Sequence, residues 1–282
     1  MPANSNKREA LYHMALLESI NKGHIPKISN EDFKNLFCKY ANNKLQHIWE
    51  SIYPLSNFNT FKKELLEINP NFSKVISKLA NPDLGFEMHY DILDNFPILY
   101  SQGNINLLKE QSIAVIGGLE KEVNGEIADE TARVVAGFAK DGYTILGGLS
   151  EGYETIAHKT ALKYGHTVAV IGNPLDCYSP KKNKDLQIKI SKDGLVISKI
   201  IPAYFELFNE NSIPKTFGIR FRTMFKLTSS GIFFPDPKHL GHAGEKIKDS
   251  ALNSNLDIYL LNKFYTSDIN WINAHKERIN FL

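Results

Sequence analysis

Two apolar runs that each end on a pair of glycines constrain the fold of this chain more than any other feature. The first is SIAVIGG at residues 112–118, and the second is YTILGG at residues 143–148. Short apolar runs of this kind predict buried strands, and paired glycines predict a turn in which the backbone passes close to a neighbouring group. Because ligands of open α/β sheets bind where strands end, we expect a functional site at this edge.

From residue 112 onward, apolar strand patterns alternate with amphipathic helix patterns. The alternation predicts the α/β class, as an extended Rossmann-like parallel sheet with helices on both faces, preceded by a small helical domain. The predicted strands are 113–117, 143–146, 167–172, 194–198, 231–234 and 257–261. The predicted helices are 125–141, 153–164, 183–191, a segment beginning near Arg220, and 244–253.

The sequence divides into three predicted parts. Residues 1–85 carry helical spacing and turn residues, which predict helices at 43–52, 60–68 and 73–79 and a helix start at 29–32. We expect a small helical, SAM-like domain there. Residues 86–264 are predicted to form the Rossmann-like domain, and residues 265–282 a C-terminal helical tail. The chain contains no apolar run long enough to cross a membrane, and its N-terminus carries charge where a signal peptide needs apolar residues. A cytoplasmic protein without membrane association is therefore expected.

Composition and motifs exclude several classes of function. Two cysteines are too few for a disulfide framework or a four-thiolate zinc site. A net charge of +2 means that any nucleic-acid footprint must be local. The dinucleotide fingerprint G-x-G-x-x-G and the phosphate-binding loop G-x-x-x-x-G-K-[ST] are both absent, which disfavours dinucleotide oxidoreductases and P-loop hydrolases. We predict no catalytic residue, metal or cofactor.

The second glycine-ended run continues as GGLSEGY at residues 147–153, a glycine-rich turn that enters a helix. Such a turn can offer backbone N–H groups and a helix N-terminus to a phosphate. The alternative is tight packing of the turn against the sheet, and the acidic Glu151 would oppose a phosphate if it pointed inward. The candidate binding residues of the two strand ends are Gly117, Gly118, Gly148, Leu149, Ser150 and Gly152.

Two basic segments complete the candidate site. Lys181, Lys182 and Asn183 stand at a predicted helix start, where the helix dipole opposes lysine unless an anion is close. In Arg220-Phe221-Arg222, arginines flank an aromatic ring, a combination suited to phosphates and stacked bases. The alternatives are a solvated charged face for the lysines and, for the arginines, a pair that bonds to buried strand-end carbonyls. The exposure of Phe221 distinguishes the two interpretations of the arginines.

The order of these segments resembles the DNA processing protein A family, also called DprA/Smf. The family patterns are P-x-L-Y-x-x-G-N-x-x-L-L, V-A-V-V-G-S-R, S-G-L-A-x-G-I-D-x-x-A-H, Y-P-x-x-N-x-x-L and F-P-x-R-N-R. They are met here in the same order by PILYSQGNINLL (97–108), IAVIGGL (113–119), GGLSEGYETIAH (147–158), SPKKNKDL (179–186) and FGIRFR (217–222).

The resemblance implies a protein that binds single-stranded DNA without catalysing a reaction, forms homodimers through the sheet domain, and passes DNA to a RecA-type recombinase during natural transformation. It also implies that the DNA pocket is lined by Gly117, Gly118, the turn at 148–152, Lys181, Asn183, Arg220 and Arg222. The chain departs from the family at Leu119, where an arginine is expected, at Glu151 and Glu154, and at Phe221. These departures predict a diverged member with altered binding.

Two other classes of function stay open. The same sheet architecture hosts nucleotide-hydrolysing phosphoribohydrolases, the lysine decarboxylase-like or LOG proteins, and the glycine pairs with nearby glutamates could suit a small nucleotide. The P-G-G-x-G-T-x-x-E motif of those enzymes is absent from this chain. A protein-interaction scaffold that has lost its site would bind neither ligand.

Overall fold

The computed structural model describes residues 5–25, 44–52, 58–90, 98–118, 121, 123–207, 213–240, 244–267 and 269–282. The chain forms two compact units. The first comprises Met1–Ser101, Asn173–Cys177 and Ser198–Thr216, and the second comprises Gln102–Gly172, Tyr178–Ile197 and Phe217–Leu282. The first unit thus extends beyond the predicted boundary at residue 85.

The helices and strands of the described ranges are numbered here in chain order. The helices are α1 (Ser5–Asn21), α2 (Lys44–Ile52), α3 (Phe58–Ile68), α4 (Phe72–Ala80), α5 (Gly125–Lys140), α6 (Tyr153–Tyr164), α7 (Lys184–Asp193), α8 (Tyr204–Leu207), α9 (Ile213–Leu227), α10 (Gly244–Leu252) and α11 (Asn270–Ala274). The strands are β1 (Glu87–Tyr90), β2 (Ile98–Gly103), β3 (Ser112–Val115), β4 (Thr144–Gly147), β5 (Thr167–Ile171), β6 (Leu195–Ser198), β7 (Gly231–Phe234), β8 (Asp257–Leu260) and β9 (Ile279–Phe281).

The first unit has an aromatic core between its N-terminal helices. Tyr12 of α1 stacks on Phe61 of α3 with ring centroids 4.4 Å apart, and Trp49 of α2 meets Phe61 edge-on at 5.3 Å. The buried carboxylate of Glu9 accepts the backbone N–H of Leu45 at 2.8 Å, which places a negative charge at the start of α2. The helices predicted at 43–52, 60–68 and 73–79 are confirmed. The helix start predicted at 29–32 lies outside the described residues.

The second unit contains a sheet with the strand order β6-β5-β4-β3-β7-β8-β9. Five neighbouring pairs in this order run parallel: β3 with β4, β3 with β7, β4 with β5, β7 with β8, and β8 with β9. The order places the first strand, β3, between two series that grow in opposite directions, as in doubly wound folds. The carboxyl end of β3 therefore lies at the topological switch point.

The strands β3 to β7 are buried at every residue, which requires cover on both faces of the sheet. Right-handed crossovers of such a doubly wound sheet place helices on both of its faces. The predicted Rossmann-like fold class is confirmed. In the described part of the chain, no helix combines the length and the apolar character needed to cross a bilayer.

Two features of the chain differ from the prediction. The tail after residue 264 contains the short helix α11, but it ends in the strand β9, which pairs in parallel with β8. The prediction of a purely helical tail was therefore wrong. β1 and β2 pair antiparallel, with Met88 opposite Tyr100, and were not predicted. β9 has only three residues, which is too few for a strand pattern to be recognised in the sequence.

Candidate functional site

The glycines at the ends of β3 and β4 allow large side chains of α6 to approach the sheet closely. A Cβ atom added to Gly117 would lie 2.7 Å from Cβ of Tyr153, and one added to Gly147 would lie 2.8 Å from Nε2 of His158. Both distances are too short for any real Cβ atom, so only glycine fits at these positions. This geometry agrees with the alternative interpretation of the glycine pairs, tight packing against the sheet.

The glycine turn, residues 148–152, directs two of its N–H groups to a side chain of the protein itself. Gly148 and Ser150 both donate to Oε2 of Glu154, at 3.0 and 2.9 Å. Glu154 is the second residue of α6 and only 1% exposed. Leu149, between the two donors, has a φ of 62°, a left-handed conformation that L residues rarely adopt. The carboxylate thus fixes an unusual backbone turn by occupying two amides predicted to face phosphate.

Arg220 of α9 holds the same turn from its carbonyl side. Its Nη1 donates to the carbonyl oxygen of Gly148 at 3.0 Å and to Oγ of Ser150 at 3.2 Å. The side chain is buried, with 6% of the residue exposed, and a Cβ atom at Gly148 would lie 2.6 Å from its Cζ. Burial lowers the pKa of the guanidinium, and the charge of Glu154 opposes that shift. Arg220 therefore has the role of the alternative interpretation, a bond to a strand-end carbonyl.

Asn183 and Thr155 satisfy further polar groups of the turn. The buried Asn183 donates from Nδ2 to the carbonyl oxygen of Leu149 at 3.0 Å and to Oγ1 of Thr155 at 2.8 Å. Thr155 in turn donates from Oγ1 to the carbonyl oxygen of Ser150 at 2.8 Å. Side chains from α6, α9 and the segment before α7 thus converge on one turn of five residues.

Lys181 and Lys182 remain exposed beside this turn. They belong to the short 3-10 helix Lys181–Asn183 that precedes α7. Because Asn183 is bonded to the turn, the two lysines that precede it in the chain are held near the turn, and both are exposed. The lysine pair therefore supplies the exposed positive charge that the sequence analysis predicted for this edge.

Arg222 lies on a different face of α9 from Arg220. Two residues advance an α-helix by about 200°, so that the two side chains point in nearly opposite directions. Arg222 is exposed, as is Lys226 one turn further along the same face. Phe221 is half-buried, and the guanidinium of Arg220 lies 4.5 Å from its ring centroid. The structure thus brings Arg220 to the turn and places Arg222 elsewhere on the helix surface.

His158, the last residue of the family segment at 147–158, is fully buried. Its Nδ1 lies 2.7 Å from Oγ1 of Thr167, whose hydroxyl donates to the carbonyl oxygen of Ile145. The hydroxyl hydrogen is thereby used, so Nδ1 of the imidazole is the donor to Thr167. Burial lowers the pKa of His158 to about 4. A neutral, enclosed imidazole of this kind is a core residue.

Most of the residues that surround the turn were predicted from the sequence, but the central one was not. Glu154 was noted as a departure from the family pattern and as one of the glutamates that could suit a small nucleotide. Its contacts with the amides of Gly148 and Ser150 were not predicted. A signal was present, because an acidic residue in the first helical turn can reach back to N–H groups that precede the helix. Gly118 is buried at the end of the first glycine-ended run, and Leu119 lies outside the described residues.

Two curated proteins are similar in sequence to parts of this chain. DNA processing protein DprA of Streptococcus pneumoniae is 39% identical over 113 residues, which are 40% of this chain and 39% of that protein. Protein Smf of Synechocystis sp. is 30% identical over 151 residues, which are 51% of this chain and 36% of that protein. The matched segments thus span well under half the length of these curated relatives.

Two solved structures share the fold. The X-ray structure of DNA processing protein A from Streptococcus pneumoniae superposes with a TM-score of 0.61 at 21% identity, covering 100% of this chain and 95% of that one. The structure of DNA processing protein A from Helicobacter pylori, described for its single-stranded DNA binding mode, gives a TM-score of 0.53 at 21% identity and covers 70% of this chain and 90% of that one.

A family model described as DNA recombination-mediator protein A matches residues 83–261, more than half of the chain. The matched span contains both glycine-ended strands, the glycine turn with Glu154, the lysine pair and the arginines of α9. The family patterns quoted for the sequence fall in this span in the same order. On this match, together with the shared fold, the chain belongs to the DNA recombination-mediator protein A family.

Proposed function

We propose that this protein binds single-stranded DNA through exposed cations near the glycine turn. The observation that carries the proposal is the position of Lys181 and Lys182 at the switch-point edge of the sheet. The chain that forms this sheet belongs to the DNA recombination-mediator protein A family. A solved relative from Helicobacter pylori is described as a single-stranded DNA binder. Ammonium groups at the surface attract backbone phosphates of any sequence, since phosphate contacts carry no base information.

Arg222 and Lys226 provide a second basic position on the exposed face of α9. A single strand is long and flexible, and can contact separated cations along its backbone. Phe221 is half-buried, and Arg220 lies over its ring. The exposed cations would therefore bind phosphates, and only the exposed part of the Phe221 ring could stack on a base. The glycines and Arg220 instead stabilise the backbone at this edge of the sheet.

The wider role follows the family resemblance. We extend the proposal to a cytoplasmic homodimer that receives single-stranded DNA during uptake and passes it to a RecA-type recombinase. This role requires binding and release, and it requires no catalytic residue. A RecA-type partner and a second copy of the chain are both testable by co-sedimentation with and without oligonucleotide.

A fluorescence anisotropy titration of a labelled oligo-dT strand tests the binding itself. We expect binding at low salt that weakens steeply as salt is added, because each neutralised phosphate releases a counterion. A duplex of the same length serves as the control for general attraction to polyanions. The proposal fails if the strand does not bind at low salt, or if its affinity does not depend on salt.

A further inference from the structure

The carboxylate of Glu154 stands where the glycine turn presents its donors. The N–H groups of Gly148 and Ser150 converge on one oxygen atom, Oε2, at 3.0 and 2.9 Å. Successive backbone amides that converge in this way form the concave arrangements that hold phosphates and other anions. The turn therefore has the donors of an anion site, and the anion in it is a side chain of the same protein.

Arg220 adds a buried cation to this arrangement. Its Nη1 bonds to the carbonyl oxygen of Gly148 and to the hydroxyl of Ser150, and the charge of Glu154 acts on its guanidinium. Buried opposite charges compensate one another, and removal of either leaves the other without compensation. The carboxylate thus supplies a negative charge that compensates the buried guanidinium, in place of an external anion.

We propose that Glu154 is an internal substitute for phosphate, which keeps mononucleotides out of the glycine turn and so determines the specificity of the site. The inference deepens the proposed function and rests on it for the identity of the ligand that is admitted. A nucleotide phosphate in the turn would approach a buried carboxylate closely, where like charges repel strongly. To avoid this it would have to displace Glu154 from two hydrogen bonds and strand its charge in the interior.

A phosphate of a DNA strand at Lys181 or Lys182 meets neither obstacle, because both ammonium groups are exposed outside the turn. The same geometry distinguishes this chain from a nucleotide-hydrolysing enzyme, in which the glycine turn must receive the phosphate. Glu154 is accordingly a positioning and specificity residue, and it makes no contact with the bound strand.

Removal of the internal anion tests the inference. Glu154→Ala exposes the two amides and Arg220 to an empty volume of carboxylate size. We expect this variant to melt below the wild type and to be stabilised by formate, acetate or inorganic phosphate. The melting temperature should rise by about 3–6 °C at an anion concentration about ten times the dissociation constant. The wild type should show no such rise with the same salts or with thymidine monophosphate, relative to chloride at equal ionic strength.

Two further variants make the result specific. Glu151→Ala also removes one negative charge from the turn, and its melting temperature should not rise with the anions. Glu154→Gln keeps an acceptor oxygen in place and should fold without rescue, because the position stays filled. If Glu154→Ala does not fold in chloride, its refolding yield with and without formate becomes the readout, and recovery in formate supports the inference.

The inference is overturned if Glu154→Ala responds to none of these anions in melting or refolding. It is also overturned if thymidine monophosphate stabilises the wild type as much as it stabilises the variant. Oligo-dT anisotropy on the wild type separates this failure from failure of the proposed function. Anion rescue without oligo-dT binding would refute DNA binding alone, whereas oligo-dT binding without anion rescue would refute the role of Glu154 alone.

Discussion

The polar groups of the glycine turn are bonded to other groups of the protein, whereas the basic side chains of Lys181, Lys182 and Arg222 face solvent. In the turn, residues 148–152, Glu154 accepts two backbone N–H groups, while Arg220 and Asn183 donate to two carbonyls. Lys181, Lys182 and Arg222 instead remain exposed to solvent. The polar groups of the first region are bonded within the protein, whereas the charges of the second lie at its surface.

The comparison shows that charge near a strand end does not by itself indicate a ligand contact. Arg220 and Arg222 are two residues apart, yet one is buried against the turn and the other is exposed. Substitutions should therefore separate into those that change the free energy of unfolding and those that change affinity for DNA. The four predictions below test this separation in order of decreasing effect.

Arg220→Ala should be the most damaging change. It leaves Glu154 buried without its cation and the carbonyl of Gly148 without its donor, and breaking a buried pair in this way costs about 3–5 kcal/mol. Urea unfolding measures the loss, and Arg222→Ala is the matched control, for which we expect a change within about 0.5 kcal/mol. Unchanged stability of Arg220→Ala with lost DNA affinity would show that Arg220 contacts phosphate after all.

Removal of the exposed cations should change affinity alone. In the triple variant Lys181→Ala, Lys182→Ala, Arg222→Ala, we expect the slope of log affinity against log salt to decrease by about 2, since each phosphate contact on a single strand contributes about 0.7. Anisotropy with oligo-dT at several salt concentrations gives this slope.

The control for this variant removes the same charge at other exposed positions, by alanine at Lys159, Lys189 and Lys192. Its salt slope should stay close to that of the wild type, and the melting temperatures of both triple variants should also stay unchanged. Equal losses of affinity in the two variants would mean that the whole surface attracts the strand and that the lysine pair has no special role.

Gly117→Ala should destabilise the first glycine-ended strand. The added Cβ atom would lie 2.7 Å from Cβ of Tyr153, and overpacking of this kind costs about 1–3 kcal/mol. Gly137→Ala is the matched control, since nothing lies within 4 Å of an added Cβ there and alanine favours the interior of α5. A stable Gly117→Ala variant would contradict the packing role of this glycine.

The smallest effect concerns two buried histidines of the described residues, His13 in the first unit and His158 in the second. Burial lowers the pKa of His158 from 6.5 to about 4 and that of His13 to about 3. The unfolded chain therefore binds more protons below pH 6.5, so the stability that neutral histidine provides is complete above that pH and decreases toward pH 4. Between pH 7 and pH 6 each histidine should reduce the free energy of unfolding by about 0.7 kcal/mol.

Urea unfolding at several pH values measures the effect. In His158→Gln, the free energy of unfolding should depend less on pH, by the contribution of one histidine. His166→Gln is the control, because it removes an exposed histidine of the same unit instead of a buried one. A wild-type protein with no change in stability between pH 7 and pH 5 would contradict the burial of both imidazoles in neutral form.

The local pattern of the chain was enough for the fold and for part of the site. Apolar runs such as 112–116 and 167–171 predict strands because a strand buried on both faces needs apolar side chains at every position. The same reasoning missed β9, whose three residues pair with β8 only through the tertiary fold. It also could not choose between phosphate binding and packing for the glycine turn, since both require glycine.

What the sequence determined was therefore the order of strands and helices, the switch-point edge and the charge available there, all of which depend on neighbouring residues. The tertiary structure alone decided how that charge is used. Gly148 and Arg220 are 72 positions apart, and Leu149 and Asn183 are 34 apart, so no local pattern reveals that they are bonded. Burial makes such long-range bonds decisive, because a polar group removed from water must find its partner within the fold.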